Sequence, residues 1–379
     1  MNPQLLLKYV LISMWFSLLF LPFKGLRASL TFFLAFLFSV ILITYLLKYG
    51  MQWKDKFGAV ANNINRLRAS APSSNWARYM VFSIFLVIPF FTKDYFLDVA
   101  ILACIYIILA LGLNVVVGFT GLLNLGFVAF YAVGAYTYAL LNIKLGLGFW
   151  QSLPISLVLT TISGLILAIP SLRLKGDYLA IVTLGFGEIT RLVLNNWDSL
   201  TGGPNGISGI SSPSLLGISL GRLNRFYYLT LISVVLAYVI VRRIRLSRIG
   251  RAWIAIREDE LGASSMGINT TRYKLYSFAF GSFWAGFAGS LFAAKMQFIS
   301  PESFTFMESV LILCMVILGG IGSIGGVMAG AVILVILPEV LREIQSYRML
   351  VLGAGIIVMM IFRPQGIFGS SHKATRHFG

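Results

Sequence analysis

The chain has 379 residues, 58% of them hydrophobic and only 11% charged, with a mean hydropathy of +0.87. Ordinary soluble domains are about 45–50% apolar and about 25% charged, so that class is excluded. The few charges are lopsided, 30 Lys+Arg against 13 Asp+Glu for a net +17; without a charge-rich surface this excludes a nucleic-acid binder and fits a polytopic membrane protein whose basic residues stay in cytoplasmic loops.

A bilayer core of about 30 Å needs roughly 20 helical residues. Apolar runs that meet or approach this length are Leu5–Pro22, Ala28–Leu47, Tyr79–Phe91, Phe96–Val117, Leu125–Leu141 and Gln151–Leu172. Asp177–Asn195, Phe226–Val241, Leu275–Met296, Thr305–Leu318, Gly326–Val340 and Met349–Phe362 follow. The expected fold is all-α, a polytopic membrane protein with about 12 transmembrane helices. The shorter runs fit tilted helices or half-helices buried within protein.

Alternating these spans puts the basic segments Lys48–Arg78, Arg173–Lys175, Arg242–Lys274 and the tail with Arg363, Lys373 and Arg376 on one side. The positive-inside rule makes that side cytoplasmic, together with both termini. Asn142–Trp150 and Ile299–Phe304 are nearly free of Lys and Arg and fall on the opposite side. Within Lys48–Arg78, the residues Trp53, Phe57, Val60, Ile64 and Leu67 recur at helical spacing, with Lys54, Lys56, Arg66 and Arg68 off that face. Such a segment lies along a lipid surface, linking two helical bundles or binding a partner.

Two glycine-rich stretches interrupt the helical pattern: Gly118-Phe-Thr-Gly121-Leu-Leu-Asn124-Leu-Gly126 and Leu318-Gly-Gly-Ile-Gly-Ser-Ile-Gly-Gly326. Their glycines are spaced alike, and paired glycine interruptions point to an internal repeat and a substrate path. Tight hairpin turns between closely packed helices explain the same residues, and the two readings are compatible. Asn114, Thr120, Gly121, Asn124, Gly126, Thr183, Gly322 and Ser323 are the candidate pathway residues. Ser199–Ile210 reads as a long external loop rich in turn residues.

The cytoplasmic stretch Ser247–Lys274 carries a helical stripe of Ile249, Trp253 and Ile256, then the acidic run Glu258-Asp259-Glu260. An apolar stripe beside charges suits docking to a cytoplasmic protein, or an interfacial helix. At membrane depth Glu188 precedes Arg191 by three residues, a local ion pair. Asp98, Glu308 and Glu339 are read as lying close to span ends. Cys104 and Cys314 sit in apolar runs, and His372 and His377 in the last eight residues, so no metal cluster or catalytic triad can be assembled. No phosphate-cradling G-x-x-x-x-G-K-[ST] motif occurs, so uphill transport would draw on an ion gradient or on separate ATPases.

The blocks Gly112–Leu141, Arg173–Ile207, Gly250–Lys274, Ile299–Gly326 and Ile361–Gly369 resemble the membrane permease subunits of branched-chain amino-acid ABC importers, LivM type. The resemblance implies a ten-helix permease core with an inverted repeat over residues 79–369. An N-terminal transmembrane hairpin (1–48), a cytoplasmic amphipathic linker (49–78) and a cytoplasmic tail (370–379) would flank it. It implies a homologous second permease subunit, two cytoplasmic ATPase subunits that bind ATP and Mg, and a periplasmic amino-acid-binding protein. The chain itself would hold no cofactor and perform no catalysis. By the same resemblance Gly250, Arg251, Trp253, Ile256, Arg257, Glu258, Asp259, Glu260 and Gly267 form the ATPase-coupling segment. Relatives of this type carry branched-chain amino acids or urea. The expected location is a bacterial inner membrane, and an ion-coupled secondary transporter is the alternative.

Overall fold

The computed structural model describes residues 94–172, 174, 176–215 and 218–340, together with Pro89, Gly353 and Gly366. Apart from the single residues Pro89 and Gly353, the expected spans Leu5–Pro22, Ala28–Leu47, Tyr79–Phe91 and Met349–Phe362 lie outside the described residues. So do the linker 49–78, Arg173, Lys175 and the tail 370–379.

The described chain is built from helices α1 (Asp94–Leu113), α2 (Phe127–Leu145), α3 (Phe149–Ser171), α4 (Asp177–Asn196) and the short α5 (Asp198–Thr201). Then come α6 (Leu223–Leu246), α7 (Arg248–Glu258), α8 (Glu260–Ser265), α9 (Thr270–Met296), α10 (Phe306–Gly319) and α11 (Ile324–Val340). Among the described residues, Asp94–Phe119, α2, α3 and α9 are long and apolar enough to cross a membrane; α10 and α11 are apolar but shorter. Four two-residue strands complete the described chain: β1 (Ile207–Ser208), β2 (Ser214–Leu215), β3 (Ile218–Ser219) and β4 (Phe298–Ile299).

Helix α1 is the axis of the assembly. Of its most apolar stretch 78% is buried, against 33% for α3. It packs on α6, α9, α10 and α11, and its last turn widens into a π turn, Asn114–Phe119, just before the first glycine break. Helix α3 is peripheral: Val158, Ile162, Ile166 and Ile169 face outward, as lipid contact requires, while Ser152, Ser156, Thr160 and Gly164 are buried along the inner face.

That inner face is one side of a small-residue seam. Without a hydrophobic drive between helices in lipid, small side chains allow backbones to approach and form van der Waals and hydrogen-bond contacts. Gly286 of α9 lies so close to Gly134 of α2 that a Cβ on Gly134 would fall 2.4 Å from the Gly286 Cα. On α3, Ser156 Oγ donates to the Gly134 carbonyl at 2.9 Å and lies 2.9 Å from Ser290 Oγ of α9.

The connecting loops gather at two ends, as alternation of the spans requires. At one end β1 pairs antiparallel with β4, Ile207 opposite Ile299. Ser211 N–H donates to Asn142 Oδ1 at 2.8 Å, Gln297 Nε2 to Ser212 Oγ at 2.6 Å, and Lys295 pairs with Asp98 at 2.6 Å. Both glycine breaks and the basic segment 242–274 meet at the other end.

Helix boundaries in segment 242–274 follow from side-chain caps. Ser247, Asp259 and Asn269 accept from the backbone N–H groups of Gly250, Leu261 and Arg272, opening α7, α8 and α9.

Candidate functional site

The first glycine break leaves α1 through the π turn and climbs back into the helical bundle before α2 begins. Three backbone donors at its end and in the first turn of α2 are met by side chains. Gly126 N–H donates to Asn124 Oδ1 at 2.9 Å, Leu125 N–H to Thr183 Oγ1 at 3.0 Å, and Val128 N–H to Ser309 Oγ at 3.0 Å. Thr120 Oγ1 donates to Ser277 Oγ at 2.8 Å. Buried backbone groups without partners are costly at this depth, so these polar residues are what lets a helix stop and restart inside the protein.

The second break folds onto the first. Gly322 N–H donates to Asn114 Oδ1 at 2.9 Å. A Cβ on Gly118 would fall 2.8 Å from the Gly322 nitrogen, so only glycine allows the two turns to touch. Gly322 and Gly121 both hold positive φ, +83° and +75°. Ser323 Oγ accepts from Gly326 N–H at 3.2 Å and so starts α11. The candidate pathway residues Asn114, Thr120, Gly121, Asn124, Gly126, Thr183, Gly322 and Ser323 therefore belong to two connected groups. One surrounds the junction of the breaks, and the other the restart of α2. The Nδ2 atoms of Asn114 and Asn124 are buried without a hydrogen-bond partner.

Arg257 joins this junction to the basic segment. It leaves the last turn of α7 and donates from Nη1 to the Gly118 carbonyl at 2.6 Å, while its stem lies against Gly121. Its other terminal nitrogen pairs with Glu258 at 3.6 Å.

The rest of the coupling segment divides into an inner and an outer face. Of the stripe read from the sequence as a docking or interfacial face, Trp253 and Ile256 turn inward, while Ile249 is exposed. Trp253 is 1% exposed, donates from Nε1 to the Tyr273 carbonyl at 2.7 Å and packs on Phe280, and Ile256 is buried beside it. Gly250 is buried with its Cα against the Ile244 and Arg245 backbone. At Trp253 and Ile256 the apolar spacing that suggests a partner is satisfied by the chain itself. Lys274, 4% exposed at its side chain, pairs with Glu260 at 2.6 Å and ties α8 to α9. Arg251, Glu258, Asp259 and Gly267 remain on the exposed face, with Leu261 and Met266 beside them.

Glu188 and Arg191 form the expected ion pair at 3.0 Å on a half-exposed face of α4. Glu308 stands in the first turn of α10, at the end of that span as expected. It accepts from the Tyr106 hydroxyl at 2.8 Å, and Tyr106 lies midway along the 26-residue span Asp94–Phe119. The reason is in the preceding loop: the 3₁₀ turn Pro301–Phe304 descends into the bundle, and the Phe304 ring packs on Tyr131 and Tyr136 before α10 starts. The end of an apolar run marks the end of a helix, not the edge of the bilayer. Ser277, Ser309 and Tyr106 were not singled out in the sequence, because lone hydroxyls inside apolar runs carry no periodic signal.

Residues 95–360 match the family described as branched-chain amino acid transport system / permease component. The chain is 48% identical to the high-affinity branched-chain amino acid transport system permease protein LivM of Escherichia coli (strain K12), over 74% of this chain and 71% of that protein. The LivM protein of Salmonella typhimurium gives the same identity and coverage. Identity to the permease protein LivH of Escherichia coli (strain K12) is 28%, over 70% of this chain and 91% of that one. No solved structure matches the chain.

Proposed function

This chain belongs to the branched-chain amino acid transport permease family, and from that membership we propose that it lines the path by which leucine, isoleucine or valine crosses a bacterial inner membrane. The path opens to alternate sides, and ATP binding and hydrolysis on two cytoplasmic partner subunits shift the population between the two states. A homologous permease completes the membrane core, which accords with the similarity of this chain to both LivM and LivH proteins. A periplasmic binding protein delivers the amino acid. The full chain crosses the membrane about twelve times, with both termini in the cytoplasm.

The observation that carries this reading is the Arg257 bridge. A ligand or partner shifts an equilibrium only through a contact that differs between states. Arg257 sits in the segment whose outer face is open to a cytoplasmic partner, and its guanidinium holds the backbone where two helix interruptions meet. Displacing α7 therefore changes the restraint on both interruptions together. The absence of a nucleotide-binding motif in the sequence supports an external source of energy.

The test is reconstitution in liposomes with the cognate second permease, ATPases and binding protein. Leucine uptake that requires internal ATP, and that is lost on charge reversal of Arg251 together with Glu258, Asp259 and Glu260, is the expected result. Uptake by the purified chain alone under a proton or sodium gradient would overturn the proposal in favour of ion coupling.

A further inference from the structure

The mid-depth carboxylate has surroundings that an ordinary structural ion pair does not. Glu308 has no basic partner among the described residues; its one recorded hydrogen bond comes from Tyr106. Tyr131, 2% exposed, packs on Phe304 in the turn that leads into α10, and its hydroxyl has no hydrogen-bond partner. A buried hydroxyl without a partner is uncommon, because its desolvation is uncompensated. Glu308 itself is half-buried and Met307 beside it is well exposed, so the carboxylate opens onto an edge of the bundle rather than being sealed in it. A charged group at this depth is costly against lipid and marks a polar path.

We infer that Glu308, Tyr106 and Tyr131 form the station that holds the α-ammonium group of the amino acid in transit, an inference that rests on the amino-acid reading given above. An ammonium group has three donors and one positive charge. Glu308 supplies the opposite charge, and the oxygens of Tyr106 and Tyr131 supply two further acceptors. Next to the carboxylate, Ser309 contacts Val128 in the first turn of α2. The station thus reads the α-ammonium group, common to leucine, isoleucine and valine.

The experiment uses the complete reconstituted complex with a cysteine introduced by Met307→Cys in a Cys314→Ala background. Its alkylation by N-ethylmaleimide is followed with L-leucine or with 4-methylpentanoate, the same molecule without its amino group. L-leucine slows alkylation at least fivefold, and 4-methylpentanoate leaves it unchanged. Glu308→Gln and Tyr131→Phe abolish that protection and lower ATP-driven leucine uptake at least tenfold. Tyr131→Phe removes an unpartnered hydroxyl, so a purely structural role predicts unchanged or improved thermal stability and unchanged uptake. Protection by both compounds alike, or uptake within twofold of the parent in both variants, overturns the station while leaving the permease reading intact. Absence of any ATP-driven leucine uptake by the unsubstituted complex overturns that reading, and the station with it.

Discussion

The amide oxygen of Asn114 accepts a hydrogen bond from the backbone N–H of Gly322, 2.9 Å away and 208 residues further along the chain. One side chain thus fastens the two helix interruptions to each other, and the Gly118 position under it has no room for a methyl group. A Cβ there would lie 2.1 Å from the Asn114 oxygen. Gly118→Ala will destabilise the protein by about 1–3 kcal/mol, the usual cost of overpacking. Thermal unfolding in detergent measures this, and Asn114→Ala in the same chain will recover part of the loss. An unchanged midpoint for Gly118→Ala would mean that the breaks do not touch.

Arg257 predicts a separation of hydrolysis from transport. Its bond to the Gly118 carbonyl joins a charged donor to a backbone acceptor, worth about 1.5–3 kcal/mol when buried. The side chain is 37% exposed, so the lower end applies, about tenfold in a coupling equilibrium. Arg257→Ala will lower leucine uptake about tenfold while ATP hydrolysis by the assembled complex persists. Equal loss of both activities would indicate failed assembly instead.

The glycines of the seam are distinguishable from glycines that face open space. Gly134→Ala drives a methyl group to within 2.4 Å of the Gly286 backbone, whereas Ala at Gly185 in α4 meets nothing within 4 Å. Gly134→Ala will reduce the yield of folded protein and its thermal midpoint. Gly185→Ala will leave both unchanged or slightly raised, since Ala suits a helix better by up to about 1 kcal/mol. Fluorescence-detected size exclusion of the two variants side by side is sufficient.

Sidedness can be read with single cysteines. Ser208 is exposed in β1, and Met266 is 86% exposed beyond α8. A membrane-impermeant maleimide will label Ser208→Cys in intact spheroplasts and Met266→Cys only after permeabilisation. Ser208 also stands opposite Phe298 in the β1–β4 register, so Ser208→Cys with Phe298→Cys will form a disulfide on mild oxidation. Labelling of both positions from outside would invert the topology.

Much of the helical layout was legible because long uncharged runs leave little choice in a bilayer. The runs Gln151–Leu172, Asp177–Asn195 and Leu275–Met296 coincide with α3, α4 and much of α9. Phe226–Val241 understated α6, because a helix continues past the apolar zone and Arg242, Arg243 and Arg245 ride on its extension. The glycine breaks were visible as composition, but their contact was not, since nothing local to Gly118 or Gly322 encodes a partner two hundred residues away. Trp253 and Ile256 show the opposite error. A stripe at helical spacing says that one face is covered, and says nothing about whether the cover is a partner or the chain's own α9. Glu308 lies at a helix end as read, but its pairing with Tyr106 was not legible: hydropathy reports where a helix begins, while the descent of Pro301–Phe304 decides where that beginning sits.

The seam among α2, α3 and α9 constrains how such a molecule can change shape. Packed helices slide over one another when interdigitated side chains exchange rotamers, and glycine and serine have almost nothing to exchange. Backbones in direct contact at Gly134 and Gly286 leave no compliant layer between them. These three helices should therefore travel as a single rigid block, leaving the deformation of the transport cycle to α4, α10, α11 and the π turn. In amide hydrogen exchange that block would be the slowest part of the protein, protected through every turnover.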